Sequence, residues 1–93
     1  MTRNLHISYE LRAPEKNYDE LIEAIKSLGV CTKIHKSFWF VSCTIAPKEV
    51  CDLLWKHMDS SDTLYVADTS SNAAAWKNLK RSTNDLIRNH WAH

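Results

Sequence analysis

From Leu5 to Leu11 the chain alternates strictly: Leu5, Ile7, Tyr9 and Leu11 point one way, and His6, Ser8 and Glu10 the other. A period of two is that of a half-buried strand. Ala13, Pro14, Glu15, Lys16 and Asn17 break the pattern, and Leu21, Ile22, Ile25 and Leu28 then share one stripe of a helix. Asn17 and Glu20 have the side chains for a reciprocal N-cap, and Gly29 is expected to stop the helix in left-handed backbone. Val30 to Ile45 is rich in β-branched and aromatic residues, interrupted only at His35, Lys36 and Ser37, which predicts two strands joined by a short hairpin. In the second of these, Phe38 and Phe40 alternate with Trp39, Val41, Cys43 and Ile45, so both faces are apolar at its start. One face is expected to meet helices. The other needs separate cover, from a partner subunit or from the C-terminal segment.

Pro47 suits the first turn of a second helix, whose buried stripe is expected to be Val50, Cys51, Leu54, Trp55 and Met58, ending near Asp59. Ser60, Ser61 and Asp62 read as a turn, and Thr63 to Asp68 as a fourth strand with Leu64 and Val66 towards the core. The order strand, helix, strand, strand, helix, strand defines an α+β chain. The expectation is a ferredoxin-like βαββαβ sandwich over residues 1–68, with two helices on one face of a four-stranded antiparallel sheet ordered 4-1-3-2. Residues 69–93 form a C-terminal helical extension. There Ser71 is expected to cap a helix over 72–79, and Ser82 with Asp85 to form a capping box ahead of Leu86, Ile87 and Trp91. Trp76, Leu79, Ile87 and Trp91 are too much apolar surface for water, so this segment should dock on the core or on a dimer partner.

At 93 residues the chain has room for one core. Its single Gly and two Pro leave little for disordered linkers. No signal-peptide pattern and no apolar run of about 18 residues occurs, which makes a cytoplasmic protein with no membrane partner the expectation. Cys31, Cys43 and Cys51 lack CxxC spacing and are expected to be buried thiols, while the five histidines are scattered and imply no metal. Charge is uneven. Residues 1–75 hold eight Lys/Arg against ten Asp/Glu, whereas residues 76–93 hold Lys77, Lys80, Arg81 and Arg88 against Asp85 alone. The basic C-terminal part can attract a phosphate backbone or an acidic protein surface.

Walker, GxGxxG, HExxH and triad signatures are absent. The acid best placed for chemistry is Glu10, near the end of the first strand, where the 4-1-3-2 order brings Asp62 close. Two carboxylates there could hold Mg²⁺ for phosphodiester cleavage, or Glu10 of two subunits could meet across a dyad. The structural alternative is an acid that pairs with Lys33 or Arg12. At the hairpin, Lys33, His35, Lys36 and Trp39 mix bases with an aromatic ring, the combination that grips a backbone and stacks a base. Solubility of the hairpin tip and core packing of Trp39 explain the same residues. Residues 68–72 form a polar loop suited to an anion or to a plain helix cap.

Ile7-Ser8-Tyr9-Glu10-Leu11, Lys36-Ser37-Phe38-Trp39-Phe40-Val41 and Leu64-Tyr65-Val66-Ala67-Asp68 resemble the small CRISPR-associated nuclease-like proteins of spacer acquisition and their VapD-type toxin relatives, in short stand-alone bacterial or phage form. The resemblance covers about residues 4–70. It implies a ferredoxin-like protomer, a homodimer packed through its sheets and, in some members, metal-dependent cleavage of RNA or DNA by an Asp at the end of the first strand. Glu10 stands at that position, and its extra methylene would displace the ion by about an ångström. The expected function is therefore a dimeric, non-catalytic module that binds nucleic acid or a protein through Lys33, His35, Lys36, Trp39, Lys80 and Arg81, without a cofactor. The alternative is a Mg²⁺-dependent endonuclease with Glu10 of both subunits as metal ligand and catalytic residue.

Overall fold

The computed structural model describes residues 2–13, 17–70 and 72–92. The elements are β1 (Arg3–Glu10), α1 (Asp19–Ser27), β2 (Val30–His35), β3 (Phe38–Cys43), α2 (Pro47–Trp55), β4 (Thr63–Asp68) and α3 (Arg81–His90). The strands make one antiparallel sheet in the order β2-β3-β1-β4. This is the α+β arrangement that the alternation and the helical stripes predict.

Register sorts the side chains onto two faces. Leu5 pairs with Val41, and Ile7 with both Trp39 and Val66, so the odd positions of β1 share a face with Trp39, Val41, Leu64 and Val66. Leu21 and Ile25 of α1, Val50 and Leu54 of α2, and Met58 beyond it complete one core on that face. Trp39 Nε1 donates to Tyr9 Oη over 3.0 Å, so the two polar atoms that enter the core satisfy each other.

The opposite face carries His6, Phe38 and Phe40. Phe40 is fully buried there, because α3 lies across it: Ile87 is buried, and Trp91 stacks on Phe40 with ring centroids 6.0 Å apart and planes 19° apart. Burying that ring is worth about 1.5–3 kcal/mol. Thr83 of α3 meets Thr32 of β2, with hydroxyls 3.1 Å apart. Asn4, fully buried, holds the end of the extension: its Nδ2 donates to the Ala92 carbonyl and its Oδ1 accepts from the Ala92 N–H, both over 2.7 Å. The cover that β3 requires thus comes from the same chain. The apolar outer face of β3 no longer argues for a second subunit.

Several local expectations are corrected. Residues 72–79 are not helical; Asn78 takes φ 63°, and Trp76 Nε1 donates to Asn84 Oδ1 of α3 over 2.8 Å. A helix of eight residues is marginal alone, and the contact with α3 holds an irregular course instead. The cap assigned to Ser71 lies outside the described residues. α3 begins one residue before Ser82, with Lys80 as N-cap and no side-chain cap, so no Ser82–Asp85 box forms. α1 is preceded by Tyr18 as N-cap, and Asn17 Oδ1 accepts from the Asp19 N–H without a reciprocal bond from Glu20. α2 stops at Trp55, which is 44% exposed and lies outside the buried stripe. Of the three thiols only Cys43 is buried; Cys31 and Cys51 are half-buried.

Gly29 does not take positive φ. Its role is close approach: a Cβ there would overlap the Ser42 carbonyl oxygen of β3 and come within 3.0 Å of Cys43 Cβ. The backbone leaving α1 therefore passes directly against β3, and only a residue without a side chain fits.

Gly29→Ala is accordingly expected to destabilise by about 1–3 kcal/mol in urea unfolding, as overpacking does, whereas a Gly in open space would gain stability on the same change. His6 gives a second expectation. Burial among Phe38, Phe40 and Trp91 lowers its pKa below the ordinary imidazole value. The unfolded chain then binds a proton first, so stability is full above about pH 6.5 and falls as pH drops from there towards the folded value. Comparing unfolding of wild type and His6→Phe between pH 7.5 and 5 should show a steeper loss in the wild type.

Candidate anion-binding groove

The β2–β3 hairpin turns through Lys36 and Ser37, with Ser37 at φ 66°. A register shift between Lys33 and His35 adds a bulge just before the turn, and the Ser37 carbonyl accepts from the Tyr9 N–H over 3.1 Å, fixing the hairpin to β1. Lys33 pairs in register with Trp39, and its Nζ lies 5.4 Å from the centre of that ring, a cation–π contact that turns its ammonium to the face of α1 and α2. His35 stacks beside Phe38 at 6.5 Å. The bases at this hairpin are thus positioned by backbone geometry and ring contacts.

α3 then brings Lys80 to them. Docking of Thr83 on Thr32 sets the first turn of α3 beside β2. Between them runs a groove of about 390 Å³ lined by Lys33, His35, Lys36 and Lys80, with Thr32, Ile34, Ser82 and Thr83. His35, Lys36 and Lys80 bring basic groups to it and three hydroxyls line it, with no acid among the described residues; Lys33 lines it with its ammonium turned to the other face. The helix end adds to this. Its first N–H groups have no side-chain cap and its first turn holds no acid, so the positive end of the helix dipole faces the same space. Placing Lys80 and Arg81 there costs the isolated helix about 0.3–1 kcal/mol, because cations belong at the other end.

The remaining expected residues lie elsewhere. Trp39 is 4% exposed, faces α1 and α2, and spends its N–H on Tyr9; it packs the core and offers no face to a base. Arg81 points into solvent and pairs loosely with Asp85 at 3.9 Å. Glu10 is exposed at the end of β1 and pairs with Arg12. It borders a concavity of about 750 Å³, with Ser8, Lys36, Thr63 and Tyr65 among the other lining residues, and is the one acid among its described lining residues.

Asp62 immediately precedes β4, and its carboxylate ties neighbouring segments together. It is 4% exposed and accepts from the Arg12 N–H at 2.7 Å, the Asp59 N–H at 2.7 Å and the Tyr18 hydroxyl at 2.8 Å. Desolvation first, and this hydrogen bond second, raise the Tyr18 pKa. The polar loop after β4 is likewise satisfied internally: Asp68 accepts from the Ser70 N–H at 2.9 Å and from Arg3 at 2.7 Å. Hydrogen bonds from Ser70, then Arg3, hold its carboxyl below the usual range. That loop surrounds an acid, which is the wrong centre for an anion. No group of three or more metal-ligating side chains occurs among the described residues, and no helix there is long and apolar enough to cross a membrane.

The groove residues that sequence patterning misses are Thr32, Ser82 and Thr83. Patterning assigns Ser82 to a cap, and only the pairing of Thr32 with Thr83 reveals where α3 starts. Compared with known proteins, the chain matches no protein-family model, no curated protein and no solved structure.

Asp62→Asn should cost about 1–3 kcal/mol in urea unfolding at pH 7, since it sets an amide N–H₂ against donors in a buried place. It should leave ligand binding at the groove unchanged once the variant is folded.

Proposed function

We propose that the chain is a ferredoxin-like module that binds nucleic acid without chemistry, taking the phosphate backbone in the groove between the β2–β3 hairpin and the start of α3. The ferredoxin-like reading is supported by the strand order, which from the far edge runs 4-1-3-2, and by α1 and α2 packing into one core on a single sheet face. It agrees with the resemblance to the CRISPR-associated and VapD-type proteins.

One observation carries the functional part: Lys80 joins His35 and Lys36 around a groove with no acid among its described lining residues, at an uncapped helix N-terminus. Such a start to a helix is unfavourable by itself and becomes favourable when an anion arrives. Local violations of this kind concentrate where a protein binds something. Backbone phosphates fit because the groove offers point charges and hydroxyls beside a helix start.

A nuclease is the second reading, and Glu10 is its observation. Exposed beside the 750 Å³ concavity, it is the one acid among the described residues there and is paired with Arg12. Metal-assisted cleavage would need Arg12 displaced and another carboxylate supplied by a second protomer.

Mobility shifts with labelled RNA and DNA, with Mg²⁺ and with EDTA, test both. The binding reading expects retardation without cleavage, insensitive to EDTA and to Glu10→Ala. The double change Lys36→Ala, Lys80→Ala should weaken it at least tenfold and flatten the log–log salt slope by about 0.7–0.9 for each phosphate that is no longer neutralised, whereas Lys33→Ala, whose ammonium lies on the other face, should change it less. Metal-dependent cleavage that Glu10→Ala abolishes would replace this reading with the nuclease.

A further inference from the structure

Beside the C-terminal half of α3 lies a slot of about 430 Å³ between two tryptophans, Trp76 and Trp91, with Arg88 and Asn72 in its lining. Neither indole serves the core between the sheet and α1 and α2. Both are nevertheless fixed. Trp76 is pinned by its N–H to Asn84. Trp91 is stacked on Phe40, its backbone N–H bonds to the Ile87 carbonyl at 2.9 Å, and the next residue is held twice by Asn4. The rings flanking the slot are therefore held before any ligand arrives, which removes most of the ordering cost of binding.

The chemistry of the slot is that of a base site. Indole faces stack any nucleobase, a guanidinium plane stacks or bonds to its edge, and the Asn72 amide offers both a donor and an acceptor. Ala73 and Ala74 keep the rest of the lining small, and no acid is present among the described residues. Position then links it to the basic groove. Asn84 and Arg88 share one face of α3, and the caps Lys80 and Trp91 flank it at spacings of four and three. Lys80 and Arg88 are about 12 Å apart at 1.5 Å per residue.

We propose that this slot takes up one unstacked nucleobase, so that the preferred ligand is single-stranded nucleic acid whose backbone lies in the basic groove. The proposal rests on the reading of that groove as a phosphate site. A duplex keeps its bases paired and stacked, and delivering one to the slot would cost it a few kcal/mol. A single strand pays nothing comparable.

Fluorescence anisotropy decides it, using the full chain and four probes of equal length: single-stranded DNA, single-stranded RNA, duplex DNA and an abasic strand carrying the same phosphates. The expected result is that both single strands bind at least fivefold tighter than the duplex and the abasic strand, and that Trp76→Ala erases the advantage with an unchanged salt slope. Equal affinity for base-containing and abasic strands overturns the base slot and leaves the groove standing; this comparison uses wild-type protein, so it holds even where Trp76→Ala fails to fold. Tight binding of single strands undiminished in a folded Trp76→Ala also overturns it. Absence of binding to all four probes overturns slot and groove together.

Discussion

A phenyl ring in the middle of a sheet's second face has to be covered, and Phe40 is that ring. β3 lies inside the sheet, between β2 and β1, so Phe40 cannot turn to an edge; α1 and α2 are already committed to the other face. α3 answers the requirement with Ile87 and Trp91. From this the placement of the rest follows. The axis of α3 fixes where Lys80 begins it, where Asn84 meets Trp76, and where Ala92 reaches Asn4. The basic groove is thus a by-product of hydrophobic cover: a helix laid over an apolar ring must start somewhere, and it starts beside the hairpin.

Two kinds of residue share the sheet without interfering. Odd positions of β1 serve the large core, while Asn4 and His6 look to α3. Buried polar groups are matched to partners throughout: Asn4 with Ala92, Trp39 with Tyr9, Asp62 with Arg12, Asp59 and Tyr18. Asp62 illustrates how a carboxylate that sits near another can be unavailable for metal. Its donors arrive from three different segments, so releasing it for an ion would loosen the joints between β1, α1 and β4 together.

The period-two and helical patterns make the sheet and the first two helices legible, because burial on a face writes itself directly into the spacing of Leu5, Ile7, Tyr9 or of Leu21 and Ile25. The terminal segment is less so. An alanine run followed by Trp76 reads as a helix, yet the segment runs irregularly, with Trp76 hydrogen-bonded to Asn84, eight residues on. Gly29 suggests backbone freedom, whereas its need is space against Ser42 and Cys43, a contact between segments that local sequence does not encode. In the candidate site, Lys33, His35 and Lys36 are visible as a cluster. Lys80 is visible only as a charge, since its meeting with them depends on the docking of Thr83 against Thr32. Trp39 fails as a ligand group because alternation assigns a face but not which face is covered.

The clasp between Asn4 and Ala92 spans 88 positions of the chain. Pairing of β1 with β4 brings Leu5 to Asp68 and leaves a much shorter loop to Ala92, so the clasp closes cheaply once the sheet that presents Asn4 exists. α3 is therefore expected to dock after the sheet and to be among the first elements to detach when stability is lowered. Partial detachment would bare Phe40 while the main core stays intact, giving a sticky intermediate with most of its native strands, and solution conditions that loosen the C-terminal helix would be expected to promote association before unfolding.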